Sequence, residues 1–113
     1  MMDNLSEDRR IIRSILSDFA AIPDAYENLR SEAIFDAEGD HYLLLTTGTD
    51  EDGRHVHDCV FHVDLIGGKF WVQHDATDRP IALELEAAGV PKERIVLGFR
   101  EPKIRPYTGY AVA

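Results

Sequence analysis

The sequence predicts an α+β domain of order α-β-β-β-β-α-β, a four-stranded antiparallel meander with an N-terminal helix and a second helix on one face. Three observations predict it. Apolar residues recur at helical spacing near the N-terminus, strand-like runs then alternate with short turns rich in Gly and Asp, and a second helical stripe ending at Gly89 precedes a short apolar run. At 113 residues the chain is expected to form one domain, 1–113, around one core.

In the first helix Ile12, Ile15, Leu16 and Phe19 stand at i, i+3, i+4 and i+7, with Leu5 upstream. Arg9, Arg10, Arg13 and Asp18 take the other face. Asp3, Glu7 and Asp8 lie near its start, where the helix dipole favours anions. Pro23 stops it, because the residue before a proline is driven out of the helical conformation. After a linker around Asp24 to Asn28, the runs Leu29 to Asp36, His41 to Thr47, Arg54 to Ile66 and Lys69 to His74 read as strands. Glu38-Gly39-Asp40, Asp50-Glu51-Asp52-Gly53 and Gly67-Gly68 are their turns, short enough to join antiparallel neighbours. Thr77 or Asp78 is expected to cap the second helix, with Pro80 in its first turn, Ile81, Leu85 and Ala88 as its apolar stripe, and Gly89 as a left-handed cap. Ile95-Val96-Leu97 is a short strand, and Phe99 to Ala113, with Pro102, Pro106 and Gly109, an irregular arm.

Leu43-Leu44-Leu45, Val60-Phe61 and Phe70-Trp71-Val72 put apolar side chains on both faces of the predicted sheet. Two helices cover one face only. A second subunit is therefore expected on the other, making a homodimer.

Charge narrows the function. The 12 basic and 21 acidic residues give −9, the reverse of what phosphate neutralisation requires, so no direct DNA binding by this chain alone is expected. Residues 1–91 carry 7 basic and 19 acidic side chains (−12), while residues 92–113 carry 5 basic and 2 acidic (+3). An acidic body with a basic, aromatic-bearing tail suits docking on a partner of complementary charge, with Arg100, Lys103, Arg105, Tyr107 and Tyr110 as candidate partner-binding residues. The single cysteine, Cys59, excludes an intramolecular disulfide and a cysteine cluster. An acidic N-terminus without an apolar segment, and no run near the roughly 20 residues of a membrane span, lead us to expect a cytoplasmic protein.

Histidine is where chemistry would be sought. Along the third strand His55, His57, Cys59, Phe61, Val63 and Leu65 share one face, since side chains alternate with period two. The His-x-His-x-Cys run has legitimate zinc ligands, and a small metal- or His-dependent enzyme using His55, His57 and Cys59 is the alternative function. Because that face runs into Phe61 and Val63, Cys59 reads as a core residue, and no metal or cofactor is expected. His62 and Asp64 share the opposite face and can form a hydrogen-bonded pair. Gly67-Gly68-Lys69 lacks the remainder of a phosphate loop, Asp50-Glu51-Asp52 lacks the spacing of a calcium loop, and no nucleophile elbow, zinc-protease or dinucleotide motif occurs. The expectation is a protein that is not an enzyme.

The run Lys69-Phe70-Trp71-Val72-Gln73-His74-Asp75-Ala76-Thr77-Asp78, then Ile81-Ala82-x-Glu84-Leu85 and above all Ala88-Gly89-Val90-Pro91-Lys92-Glu93-Arg94-Ile95-Val96-Leu97-Gly98-Phe99-Arg100, resembles the XisI family of cyanobacterial proteins. The resemblance continues through Pro102, Arg105, Thr108 and Ala111-Val112-Ala113, and upstream through Ala25-Tyr26, Ile34-Phe35-Asp36, Tyr42-Leu43-Leu44 and Arg54-x-Val56-His57. It implies a controlling factor for excision of the fdxN element, a programmed DNA rearrangement of heterocyst-forming cyanobacteria. The family is understood to act with XisH, which resembles restriction-type nucleases, and with the XisF recombinase, which performs the strand chemistry. No catalytic residues are defined for the family, so none is carried over.

Overall fold

The computed structural model describes residues 4–23, 28–77 and 79–113. The first helix, α1 (Asn4–Ala20), ends before Pro23 and buries Ile11, Ile12, Ile15 and Leu16. Phe19 meets Phe61 edge-to-face with ring centroids 5.2 Å apart. Asp8, in the N-terminal part of the helix as expected, is 2% exposed and ion-paired with Arg94. Asp3 and the linker residues Asp24 to Glu27 lie outside the described residues.

Four strands follow, β1 (Leu29–Asp36), β2 (His41–Thr49), β3 (His55–Ile66) and β4 (Lys69–Asp75), each antiparallel to the next. After the second helix, α2 (Ile81–Ala87), the short strand β5 (Ile95–Leu97) joins beside β4 in parallel. The expected order and meander hold, and the sheet has five strands, β1-β2-β3-β4-β5, rather than four. A parallel neighbour needs a crossover, which α2 provides.

The turns are held by their own carboxylates. Asp36 accepts the amides of Glu38 and Gly39, and Asp50 those of Asp52 and Arg54, so the acidic clusters organise backbone. Asp40 sits at φ 55° and receives both Arg9 (Nε 2.8 Å) and the Tyr42 hydroxyl (3.1 Å), tying α1 to the first hairpin.

Two expectations for α2 need correction. Thr77 does not cap it, and Asp78 lies outside the described residues. The Ile81 amide donates instead to Asp75 Oδ2 at 2.8 Å, six residues upstream, so the carboxylate at the end of β4 satisfies the orphan donor. The Thr77 hydroxyl sits 2.6 Å from Asp75 Oδ1 and braces that cap. The buried stripe is Ile81, Ala82 and Leu85; Ala88 is exposed, because the helix is too short to bring it round. Gly89 does follow the helix in the left-handed region, at φ 97°.

Both helices rest on one face of the sheet, where Tyr42, Leu44, Phe61, Val63, Leu65, Phe70, Val72 and Ile95 complete the core. Two irregularities break the alternation of side chains. Leu44 pairs with Phe61 but Leu45 pairs with Cys59, so Val60 is an inserted residue. His62 pairs with His74 but Val63 with Val72, so Gln73 is another. The second bulge is what turns Asp75, opposite Phe61, toward α2.

Candidate functional site

The other face of the sheet carries the chemistry. Residues directly opposite in an antiparallel ladder share a face. His41 is paired with Asp64, Leu43 with His62, Leu45 with Cys59, Thr47 with His57, Thr49 with His55, and His62 with His74. All five histidines of the chain are therefore on the face away from the helices. This corrects the expected ladder: His55, His57 and Cys59 do not share the Phe61, Val63 and Leu65 face, because Val60 shifts the alternation by one residue. Val60 packs against the core in their place.

The bulge also assembles the site. Counted from the Thr49–His55 pair, an unbroken ladder would set His41 against Val63; the inserted Val60 brings Asp64 there instead. The expected His62–Asp64 pair is present, with Nε2 2.6 Å from Oδ1, and His41 Nδ1 lies 2.7 Å from the same oxygen. Gln73, presented by the second bulge, donates from Nε2 to Asp64 Oδ2 at 3.3 Å. Burial alone would raise the Asp64 pKa, but the hydrogen bonds from His41 and His62 outweigh it and hold the carboxyl below its ordinary range. The hydrogen bond to Asp64, then its charge, raises the pKa of the His41 imidazole. The two rings pack edge-on, centroids 6.1 Å apart.

The alternative site is not gathered. Among the described residues, only His41, His62 and Asp64 bring three potential ligand atoms within 4.8 Å of one another. His55, His57 and Cys59 are spread along an extended strand, where alternate residues stand about 6.6 Å apart. The Cys59 thiol lies 3.5 Å from the Phe61 carbonyl, and burial pushes its pKa up, the opposite of an activated thiolate. His57 and Cys59 border a concavity of about 780 Å³ that also touches His62 and Gln73.

The C-terminal arm wraps the free edge of β5. Ala111 pairs with Val96 and donates to the Ile95 carbonyl at 2.8 Å, shielding an edge that would otherwise stay open. Arg105 holds the arm down: Nε reaches the Arg100 carbonyl (3.1 Å), Nη1 that of Val112 (3.4 Å) and Nη2 that of Gly98 (3.3 Å), with the guanidinium 5.2 Å from the Trp71 ring centroid. Gly98 permits the close crossing, since a Cβ there would meet Gln73 Oε1 at 2.9 Å and the Trp71 ring at 3.2 Å. Tyr110 turns to the helix side and donates to Glu86 at 2.7 Å; burial first, then this bond, pushes its pKa up to about 12. Of the candidate partner-binding residues, Arg105 and Tyr110 thus serve the chain's own packing. Arg100 stacks near Phe99, Lys103 pairs with Glu101, and both are exposed, as is Tyr107 at 85%.

An α+β sheet domain with helices on one face, its own tail strapped across the far edge and a histidine-rich second face defines the class of protein. The chain belongs to the XisI family: the family model described as XisI protein matches residues 2–112. Among solved structures, it is similar to a XisI-like protein from Anabaena variabilis ATCC 29413, at 35% identity and TM-score 0.88, over 96% of this chain and 99% of that one. It is also similar to the fdxN element excision controlling factor XisI of the same organism, at 29% identity and TM-score 0.82, over 98% of this chain and 100% of that one. No curated protein matches it.

Proposed function

We propose that this chain is a XisI-type controlling factor that acts through protein partners in the excision of a DNA element, and that it performs no catalysis of its own. The observation that carries the reading is the end-to-end similarity to the Anabaena excision controlling factor. The charge agrees with it: at −9 the chain repels duplex DNA, so influence on a DNA rearrangement runs through other proteins. An XisH-like, nuclease-related protein and the recombinase machinery are the partners, met in the cytoplasm by the exposed Arg100, Lys103 and Tyr107. A second copy of the chain docks on the β1–β2 half of the open face. The arm already covers the Trp71 and Val96 side, leaving Ile34, paired across the ladder with Leu43, 38% exposed toward the β1 edge.

The test mixes purified chain with the XisH-like protein of the same genome and reads complex mass by light scattering, with duplex DNA as a separate titrant. A stoichiometric heterocomplex on a dimeric scaffold, with no sub-micromolar DNA binding by the chain alone, supports the reading. A monomer indifferent to that partner, or one that binds duplex DNA by itself, overturns it.

A further inference from the structure

We propose that His41, His62 and Asp64 form a binding site for a first-row divalent metal ion of the zinc class. The charge balance around Asp64 points there first. This carboxylate is 8% exposed, and among the described residues its hydrogen-bond partners are His41, His62 and Gln73, none of them a permanent cation. Buried carboxylates are ordinarily paired with a fixed charge or coordinate a metal. Asp36 and Asp40 add further negative potential at His41. A divalent ion supplies the missing positive charge.

Geometry and donor chemistry agree. The three ligand atoms lie within 4.8 Å of one another, from cross-strand partners and an i, i+2 neighbour on rigid strands. A tetrahedral ion about 2.0–2.2 Å from nitrogen and oxygen sets its ligand atoms about 3.3 Å apart. The present contacts of 2.7 and 2.6 Å open by about 0.6 and 0.7 Å to reach that spacing, and the two ring nitrogens, within 4.8 Å of one another, settle to the same separation. The His41 side chain, 50% exposed, is free to make that adjustment. Gln73 engages Asp64 Oδ2 and leaves Oδ1 for the ion, the arrangement by which outer groups orient a ligating carboxylate. Two imidazoles and one carboxylate favour zinc, cobalt or nickel over calcium and magnesium, which take all-oxygen shells, and over copper(I), which takes sulfur. On binding the ion, each ring gives it the nitrogen that now faces Asp64, and the proton on that nitrogen leaves to solvent or passes to the other ring nitrogen. Three protein ligands leave a fourth coordination position for water. The sequence-based expectation of no metal weighed the His55, His57 and Cys59 run and the Asp50-Glu51-Asp52 turn, and this site shares no residue with either.

The test titrates chelator-stripped full chain with zinc by calorimetry and with cobalt by visible absorption at neutral pH. One ion per chain is expected, with cobalt d–d bands and no thiolate charge-transfer band. His41→Ala, at an exposed position, should weaken zinc binding more than 100-fold, and Gln73→Ala about 10-fold. His55→Ala with His57→Ala should leave affinity unchanged, and circular dichroism should show each variant folded. Should Gln73→Ala disturb the sheet, His41→Gln provides the second reading. Absence of binding at micromolar zinc, binding that survives His41→Ala, loss on His55→Ala with His57→Ala, or a thiolate band from Cys59 would each overturn the assignment. Zinc binding and partner binding are read separately, so either result leaves the other standing.

Discussion

Two arginines close the two faces of the sheet, and they do so in opposite ways. On the helix side Arg94 reaches from the turn before β5 to the buried Asp8 of α1, and its Nε donates to the Gly68 carbonyl at 2.9 Å. On the other side Arg105 meets no carboxylate among the described residues. It is held by backbone carbonyls and the face of Trp71. A buried charge that neutralises another buried charge cannot be removed without stranding its partner. An arginine bound to carbonyls at the surface can be, because water takes its place. The helix face is therefore built as a closed core and the far face as a strapped, reopenable surface.

The largest effect is expected from breaking the first of these. Arg94→Ala leaves the Asp8 carboxylate buried and unpaired, and should lower stability by about 3–5 kcal/mol in urea unfolding. A loss under about 1 kcal/mol would mean that Asp8 escapes to water and that the ion pair is not the lock of this face.

Adjacent leucines of one strand sharpen the comparison next. Leu44 is 3% exposed in the core, while Leu43 faces the other way and is half-buried. Leu44→Ala should cost about 3 kcal/mol and Leu43→Ala about 1 kcal/mol. The difference also tests the dimer. If the Leu43 variant loses as much as the Leu44 variant, and its unfolding midpoint depends on protein concentration, a second copy covers that face in solution.

Arg105→Ala comes third, at about 1–2 kcal/mol for three weak hydrogen bonds to carbonyls and one ring contact. Helix content should be unchanged while Trp71 fluorescence moves toward that of exposed tryptophan. An unaltered emission maximum would show that the arm stays down without its arginine. Arg100→Ala should leave stability alone, since its side chain is solvated, and reduce affinity only for the partner.

The fold was legible because its punctuation is local. Pro23, the Gly67-Gly68 turn and Gly89 act through backbone conformation at their own positions, and the strand and helix boundaries follow from them. The site was half legible for the opposite reason. His62 and Asp64 are two residues apart, so alternation alone pairs them. His41 reaches them only because Val60 is inserted 19 residues away in sequence, and a bulge leaves no signature in the hydrophobic pattern when the extra residue is itself apolar. The same insertion sends His55, His57 and Cys59 to the face that strict alternation denies them. The cap of α2 was misjudged likewise: Asp75 lies six residues from the amide that it serves, and the Gln73 bulge aims it there. For His41 the signal available in advance was histidine content, five rings in a small acidic chain.

The smallest change in stability that should still be measurable is at the Arg9–Asp40 pair, which joins α1 to the first hairpin on the helix side. The Arg9 hydrogen bond is the largest influence on Asp40 and, against a smaller burial effect, lowers its pKa below the ordinary 3.8, with the Tyr42 hydroxyl assisting. A carboxylate whose folded pKa is depressed contributes stability that is present in full above its unfolded value and is lost as pH falls through its folded value. Acid unfolding of the wild-type chain should therefore include a component completed only below pH 3.8, and near neutrality this pair should give no slope. Arg9→Ala removes the main cause of the shift, so the component should move up toward the ordinary carboxylate range while stability near pH 7 falls slightly, because a pair with Arg9 one-third exposed is screened by water. Urea midpoints measured from neutral to strongly acid pH in both proteins decide it. Parallel curves, displaced by a constant amount at every pH, would mean that Asp40 titrates independently of Arg9 and that the hairpin is held to α1 by packing alone.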